Sequence, residues 1–225
     1  MISFQNVTVR YPLGNLALEK ISFDIEDGEF VYLVGPSGAG KTTILRLLLD
    51  DIDVHEGSVT VDDFEVTAPK FHQTTQLRQK IGIVFQDFKI LSESNVYENV
   101  ALSMLVKGYH KSRIAKEVEE ALRLTGIEDK KYFFPVQLSA GELQRVAIAR
   151  AVAGYRSIIL ADEPTGNLDP QTTWEVMKIF RRLEKDRIIL FATHNVDIVN
   201  SMQRRVIALK EGKIIKDQLK GEYEL

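Results

Sequence analysis

Apolar residues come in short runs divided by turn signals over the N-terminal part of the chain: positions 2–9, then 21–25 after a break at Pro12 and Gly14, then 30–34 after Asp27-Gly28. Runs of this length bounded by Gly, Pro and Asp predict strands. Past Gly40 the pattern changes to Ile44, Leu45, Leu47, Leu48 and Leu49, apolar on most faces, which predicts a buried helix. A strand therefore feeds a glycine loop and then a helix. Positions 59–61 and 81–85 predict further strands, with polar connections at 62–63 and 70–79. Ile114, Val118, Ala121 and Leu122 recur at helical spacing over 112–124, with Gly126 placed as the C-cap. The continuous runs at 158–161 and 188–192 predict strands covered on both faces, as in a parallel sheet. Helical stretches at 141–153 and 172–184 separate them. Strands alternating with helices imply a mainly parallel α/β sheet with right-handed crossovers. The weakly patterned positions 216–225 predict a loosely attached tail.

Composition narrows the classes without choosing among them. The 225 residues are 44% hydrophobic and 27% charged, ordinary values for a folded globular chain. A net charge of −3 supplies no basic excess, so nucleic acid is not expected as a partner. No uncharged run approaches the ~20 residues of a membrane-spanning helix, and the first residues lack the basic and apolar segments of a secretory signal. Cytosolic residence is the expectation. The absence of cysteine excludes disulfides, zinc-thiolate sites and thiol catalysis.

Chemistry enters at Gly35-Pro36-Ser37-Gly38-Ala39-Gly40-Lys41-Thr42, which fits the phosphate-loop pattern in its required setting of a preceding strand and a following helix. Glycines let backbone N–H groups turn toward phosphate oxygens, and the helix start adds partial positive charge. Lys41 is placed to bridge the β- and γ-phosphates and Thr42 to ligate Mg²⁺. Asp162-Glu163 ends an apolar strand, at the edge where open α/β sheets bind ligands. There Asp162 serves the metal and Glu163 the attacking water as general base. A solvated acidic pair is the bland alternative. These two motifs specify only a nucleotide-hydrolysing P-loop protein.

The run Leu138-Ser139-Ala140-Gly141-Glu142 and the helix after it resemble the signature of the ABC-type ATPases. Gln86, Asn167-Leu168-Asp169 and His194 are similar to that family's Q-loop, D-loop and switch histidine, in the family's order. The resemblance covers most of the chain. It implies a RecA-like P-loop NTPase core with an N-terminal antiparallel β subdomain and an inserted helical subdomain, as one domain over 1–225: core at 1–87 and 155–215, helical subdomain at 88–154, tail at 216–225. It further implies ATP and Mg²⁺ as ligands, with Lys41, Gln86, Glu163 and His194 catalytic. The implied nucleotide contacts are Tyr11, Gly35, Ser37, Gly38, Ala39, Gly40, Lys41, Thr42, Thr43, Ser139, Gly141 and Asp169. Metal contacts would be Thr42, Gln86 and Asp162. Ordinary roles stand beside these: Tyr11 as a core aromatic, Gln86 as a strand cap, His194 as a surface histidine.

One copy of each motif implies a homodimer, because the family's signature meets the nucleotide of the opposite subunit. Ala140 departs from the glycine usual there, and its methyl is expected to crowd the nucleotide or resist a positive φ. The strings at 35–41, 85–91 and 96–102 are similar to the FtsE branch of cell-division ATP-binding proteins. That branch implies an integral membrane partner of the FtsX type, peripheral attachment at the cytoplasmic face, and control of cell-wall hydrolysis. Lipoprotein-release and macrolide-type exporter ATPases share much of the pattern and stay open as the alternative. Apolar Phe88, Ile90, Leu91 and Val96 offer either a docking groove for the partner or core of the helical subdomain.

Overall fold

A computed structural model of the chain describes residues 1–11, 14–221 and 223. Pro12 of the predicted break lies outside them, as do Glu222, Glu224 and Leu225 of the predicted tail. The chain forms two compact units, one of Met1–Arg78 with Asp186–Leu225 and one of Gln79–Lys185.

In the first unit β1 (Ile2–Arg10) pairs antiparallel with β2 (Leu16–Ile25), and β3 (Phe30–Val34) leads through the glycine loop into α1 (Lys41–Leu48). Then follow β4 (Glu56–Val61), β5 (Phe64–Glu65) and α2 (Thr74–Lys80), where the chain passes to the second unit. The order β2-β1-β4-β5 makes an antiparallel sheet, the expected β subdomain. Phe4 stacks on Phe23 across β1 and β2, with ring centroids 4.5 Å apart, an arrangement that adds to the burial of both rings.

The second unit holds β6 (Ile81–Val84), α3 (Val96–Val106), α4 (Lys111–Thr125), α5 (Ala140–Val152), β7 (Ile158–Asp162) and α6 (Pro170–Leu183). β6 and β7 pair in parallel. The α4 face carrying Ile114, Val118, Ala121 and Leu122 is buried, and Gly126 ends the helix in the left-handed region at φ 67°, as the spacing predicts. Returning to the first unit, β8 (Ile188–Thr193) and β9 (Arg205–Lys210) flank β3 in parallel, α7 (Val196–Met202) joins them, and β10 (Lys213–Gln218) closes a hairpin on β9. All residues of β3 and β8 are buried. Phe30, Tyr32 and Phe191 cluster there with centroids 5.0–6.0 Å apart. Strands covered on both faces read as unbroken apolar runs, which is why both were visible in the sequence.

Three helices stand where none was predicted. In α2 only Leu77 is buried, so its stretch reads as a polar connection. In α3 apolar residues go round the helix without a stripe, and α7 is only seven residues long. The expected loose tail is corrected where it is described. Lys216 to Gln218 belong to β10, and Tyr223 is buried with its N–H donating to Asn200 Oδ1 at 2.8 Å while Asn200 Nδ2 donates to its carbonyl at 3.3 Å. Backbone pairing to β9 and one aromatic anchor hold an end whose charged side chains give no periodic signal.

Candidate functional site

The first unit carries the glycine loop. β3 and β8 run in register from Phe30↔Ile189 to Val34↔Thr193, so Gly35 and His194 leave neighbouring strands at the same edge. Gly35 has φ 149°, and a Cβ on it would run into the Leu209 carbonyl oxygen. Gly40 has φ 109°, and its Cβ would lie 2.6 Å from Leu18 Cδ2 and 2.9 Å from the Ala17 carbonyl oxygen. Only glycine satisfies both the dihedral and the space. Gly40 also starts α1 with no side chain to cap it. The N–H groups of a first turn point out of the helix, so a helix that begins on glycine at the end of a strand suits an anion.

Lys41 opens α1 and is buried; its Nζ donates to the carbonyls of Gly35 at 2.7 Å and Pro36 at 3.2 Å. The ammonium is thus folded back over the loop, where two weak acceptors hold it at the place an anion would compete for it. The Thr43 hydroxyl is buried and engaged with the Tyr11 hydroxyl at 3.1 Å. Tyr11 and Thr43, both expected as nucleotide contacts, are brought together with each other. His194 is exposed at the end of β8, and Asn195 after it caps α7 by accepting from the Ile198 N–H at 3.1 Å.

The second unit carries the acidic pair. Val84 pairs with Ala161, so Gln86 and Glu163 each stand two residues beyond the same rung of the β6–β7 ladder. Gln86, Asp162 and Glu163 share that strand edge. Glu163 has φ 46°, a left-handed conformation that a bulky residue adopts at a cost of roughly 1–3 kcal/mol and that concentrates at functional sites. Asn167 Nδ2 donates to the Gln86 carbonyl at 3.1 Å, fixing the backbone after β6 from the segment after β7. Phe88 and Lys89 are consecutive left-handed residues, and the Arg150 guanidinium of α5 donates to both of their carbonyls, to Phe88 at 2.7 Å. Burial lowers the Arg150 pKa from its ordinary value. Val96 is fully packed, Phe88 and Ile90 are half-buried, and Leu91 is exposed, so the apolar segment divides between core and surface.

Ser139 caps α5 through a reciprocal box. Its Oγ accepts from the Glu142 N–H at 3.3 Å, and Glu142 Oε2 accepts from the Ser139 N–H at 2.8 Å and the Ser139 hydroxyl at 2.9 Å. The Ser139 N–H holds the Glu142 carboxyl below its usual range against the opposing effect of burial, helped by the Ser139 hydroxyl and the charges of Lys130 and Arg145. Gly141 lies so close to Thr172 that a Cβ would overlap its Cγ2; the bare residue lets α5 meet the start of α6. Asp169 caps α6, accepting from the Thr172 N–H at 3.0 Å and from the Thr172 hydroxyl at 2.5 Å, and these bonds lower its pKa. Ala140 is the first residue of α5 and is not among the residues with positive φ, so the expected backbone strain at that position does not arise.

The sequence named Asn167 and Glu142 only as members of motifs and gave Arg150 and Thr172 no role of their own; these four side chains hold the segments that carry Gln86, Ser139 and Asp169. Glu142 also left a local signal, the Ser-x-x-Glu spacing of a capping box. The chain matches the family model described as ABC transporter over residues 18–166. It is 45% identical to the cell division ATP-binding protein FtsE of Bacillus subtilis, covering 99% of this chain and 98% of that one. To the protein of the same name from Streptococcus pneumoniae it is 43% identical, covering 99% and 97%. Among solved structures, the dimeric ABC transporter cassette MJ0796 superposes with a TM-score of 0.87 at 33% identity, covering 99% of this chain and all of that one. Its dimeric post-hydrolysis state bound to ADP and Pi gives 0.88 at the same identity and 99% coverage of this chain.

Proposed function

The chain belongs to the ABC transporter family and is an ATPase, and from that premise we propose that it hydrolyses ATP as a nucleotide-joined homodimer which drives an integral membrane partner of the FtsX type in cell division. The observation that carries the catalytic part is the Lys41 ammonium folded over Gly35 and Pro36 in a loop that only glycines can follow. In this reading Gly35, Ser37, Gly38, Ala39, Gly40 and Thr43 cradle the phosphates, Tyr11 faces the adenine, and Lys41 neutralises charge developing on the β- and γ-phosphates. Water attacks the γ-phosphorus, the bond to the bridging oxygen breaks, and Glu163 takes the proton released by the water. His194 contacts the γ-phosphate. In this reading the metal donors would be the Thr42 hydroxyl, the Asp162 carboxylate and the Gln86 amide oxygen, all hard oxygen donors of the kind Mg²⁺ takes. That ion would supply charge neutralisation at the phosphate oxygens.

Ser139 and Gly141, with Asp169, which caps the helix start where Thr172 lies against Gly141, meet the nucleotide of the other copy. The names of the relatives support the cell-division role. Among the described residues no helix is long and apolar enough to cross a membrane, which accords with attachment through a partner at the cytoplasmic face. We propose the half-buried and exposed residues Phe88, Ile90 and Leu91, on the helical subdomain at 88–154, as the partner's contact.

The test is complementation. A Lys41→Ala chain keeps its Ser139, and a Ser139→Arg chain keeps its Lys41 and Glu163, so mixing the two rebuilds one complete site. Heterodimers carrying two different tags are expected with ATP and Mg²⁺, and neither variant alone should dimerise. If wild type dimerises and the mixture does not, the shared site is wrong.

A further inference from the structure

Beside Ser139 lies a cleft of about 360 Å³ whose charged lining is Asp129, Lys130, Glu142, Arg145 and Glu175. Two cations face three carboxylates there. Arg145 is already engaged, donating to Glu175 Oε2 at 2.5 Å and to the Thr125 carbonyl at 2.9 Å, while Lys130 lies 4.0 Å from Asp129 and over the Phe133 ring. Glu142 has no direct ion pair among the described residues, although its carboxyl is held in the charged form at neutral pH. One of its oxygens accepts both donors of Ser139. The group that would present Ser139 to a phosphate is thus tied to an anion before any phosphate arrives.

We propose that Glu142 sets the affinity between two nucleotide-loaded copies, as a specificity-determining charge that repels the partner's terminal phosphate and competes with it for the Ser139 hydroxyl. This rests on the reading that Ser139 meets the partner's nucleotide. Like charges a few ångströms apart at a partly solvated site repel measurably, and a two-fold interface counts the effect twice. The repulsion keeps the joined state weak enough to part once the phosphate has left. A capping role alone requires no charge, since the Ser-x-x-Glu box works equally with glutamine.

That equivalence supplies the experiment. Glu142→Gln, made in a Glu163→Gln background so that ATP persists, keeps the box and removes the charge. Light scattering against protein concentration, with saturating ATP and Mg²⁺, should show a dimerisation constant roughly tenfold tighter than the Glu163→Gln parent. Nucleotide affinity of the monomer, measured at concentrations too low for dimers, should not change, and a melting temperature within about 4 °C of the parent's checks that α5 stays capped. Ser139→Arg in the same background separates the two ideas. If it abolishes dimers while Glu142→Gln dimerises like the parent or more weakly, the charge proposal is overturned and the shared site stands. If Ser139→Arg dimerises like the parent, both fall.

Discussion

Each of the two units presents a helix start, and they prepare it in opposite ways. In the first unit α1 begins on Gly40, which has no side chain and is followed by Lys41, whose ammonium donates to the Gly35 and Pro36 carbonyls. In the second unit α5 begins on Ser139, whose donors are both taken by the Glu142 carboxylate. The dipole of each helix favours an anion at its start. At α1 an arriving phosphate meets a cation; at α5 it must displace the Glu142 carboxylate from Ser139. Strength of anion binding is therefore set less by the helix than by what the sequence puts on its first turn. On the proposed reading, that difference gives tight binding within one chain and weak, reversible joining of two.

The comparison breaks most visibly in catalysis. Glu163→Gln keeps the shape of the side chain and loses the base, so hydrolysis should slow by roughly 10²–10⁴-fold while dimers persist with ATP. Phosphate release in steady state and sizing by light scattering check both halves; a monomeric variant with ATP bound would contradict the assignment. Lys41→Ala should lower hydrolysis by roughly 10²–10³-fold, as loss of one preorganised charge at the phosphates does. It should also weaken nucleotide binding to the monomer, whereas Ser139→Arg should leave that binding intact and lose only the dimer. Equal nucleotide binding by the two variants would erase the distinction between the helix starts.

Stability sharpens it further. Gly40→Ala puts a Cβ against Leu18 and the Ala17 carbonyl at φ 109°, so it should cost roughly 1–3 kcal/mol for the backbone alone. Ser139→Ala removes an N-cap acceptor from α5 and should cost about 1 kcal/mol. Urea titrations of both variants measure the order, which reverses if the loop can shift to admit the methyl.

The smallest effect is one of pH. The folded Glu142 carboxyl lies below its ordinary value of 4.5. Its contribution is thus complete above 4.5 and lost as pH falls through the folded value. Acid unfolding of wild type should be steeper there than that of Glu142→Gln, by at most about 1 kcal/mol because the charge is exposed and screened. Identical acid profiles would mean that the box carries no net charge effect.

By itself the sequence determined what local chemistry and period can specify. Gly35 and Gly40 are legible because no other residue takes their backbone, the runs of β3 and β8 because burial on both faces demands unbroken apolar residues, and the α4 stripe because one face is wet. The order of the motifs carried the family, and with it the expected roles of Gln86, Ser139, Asp162, Glu163 and His194. Tertiary structure decided the rest. It paired Thr43 with Tyr11, set Thr172 against Gly141, and brought Arg150 and Asn167 onto carbonyls of the segment after β6. It also formed α3, whose apolar residues have no stripe, and anchored Tyr223 on Asn200. Those contacts join residues far apart in the chain, and those of Arg150 and Asn167 end on backbone carbonyls, which every residue possesses and no sequence pattern distinguishes.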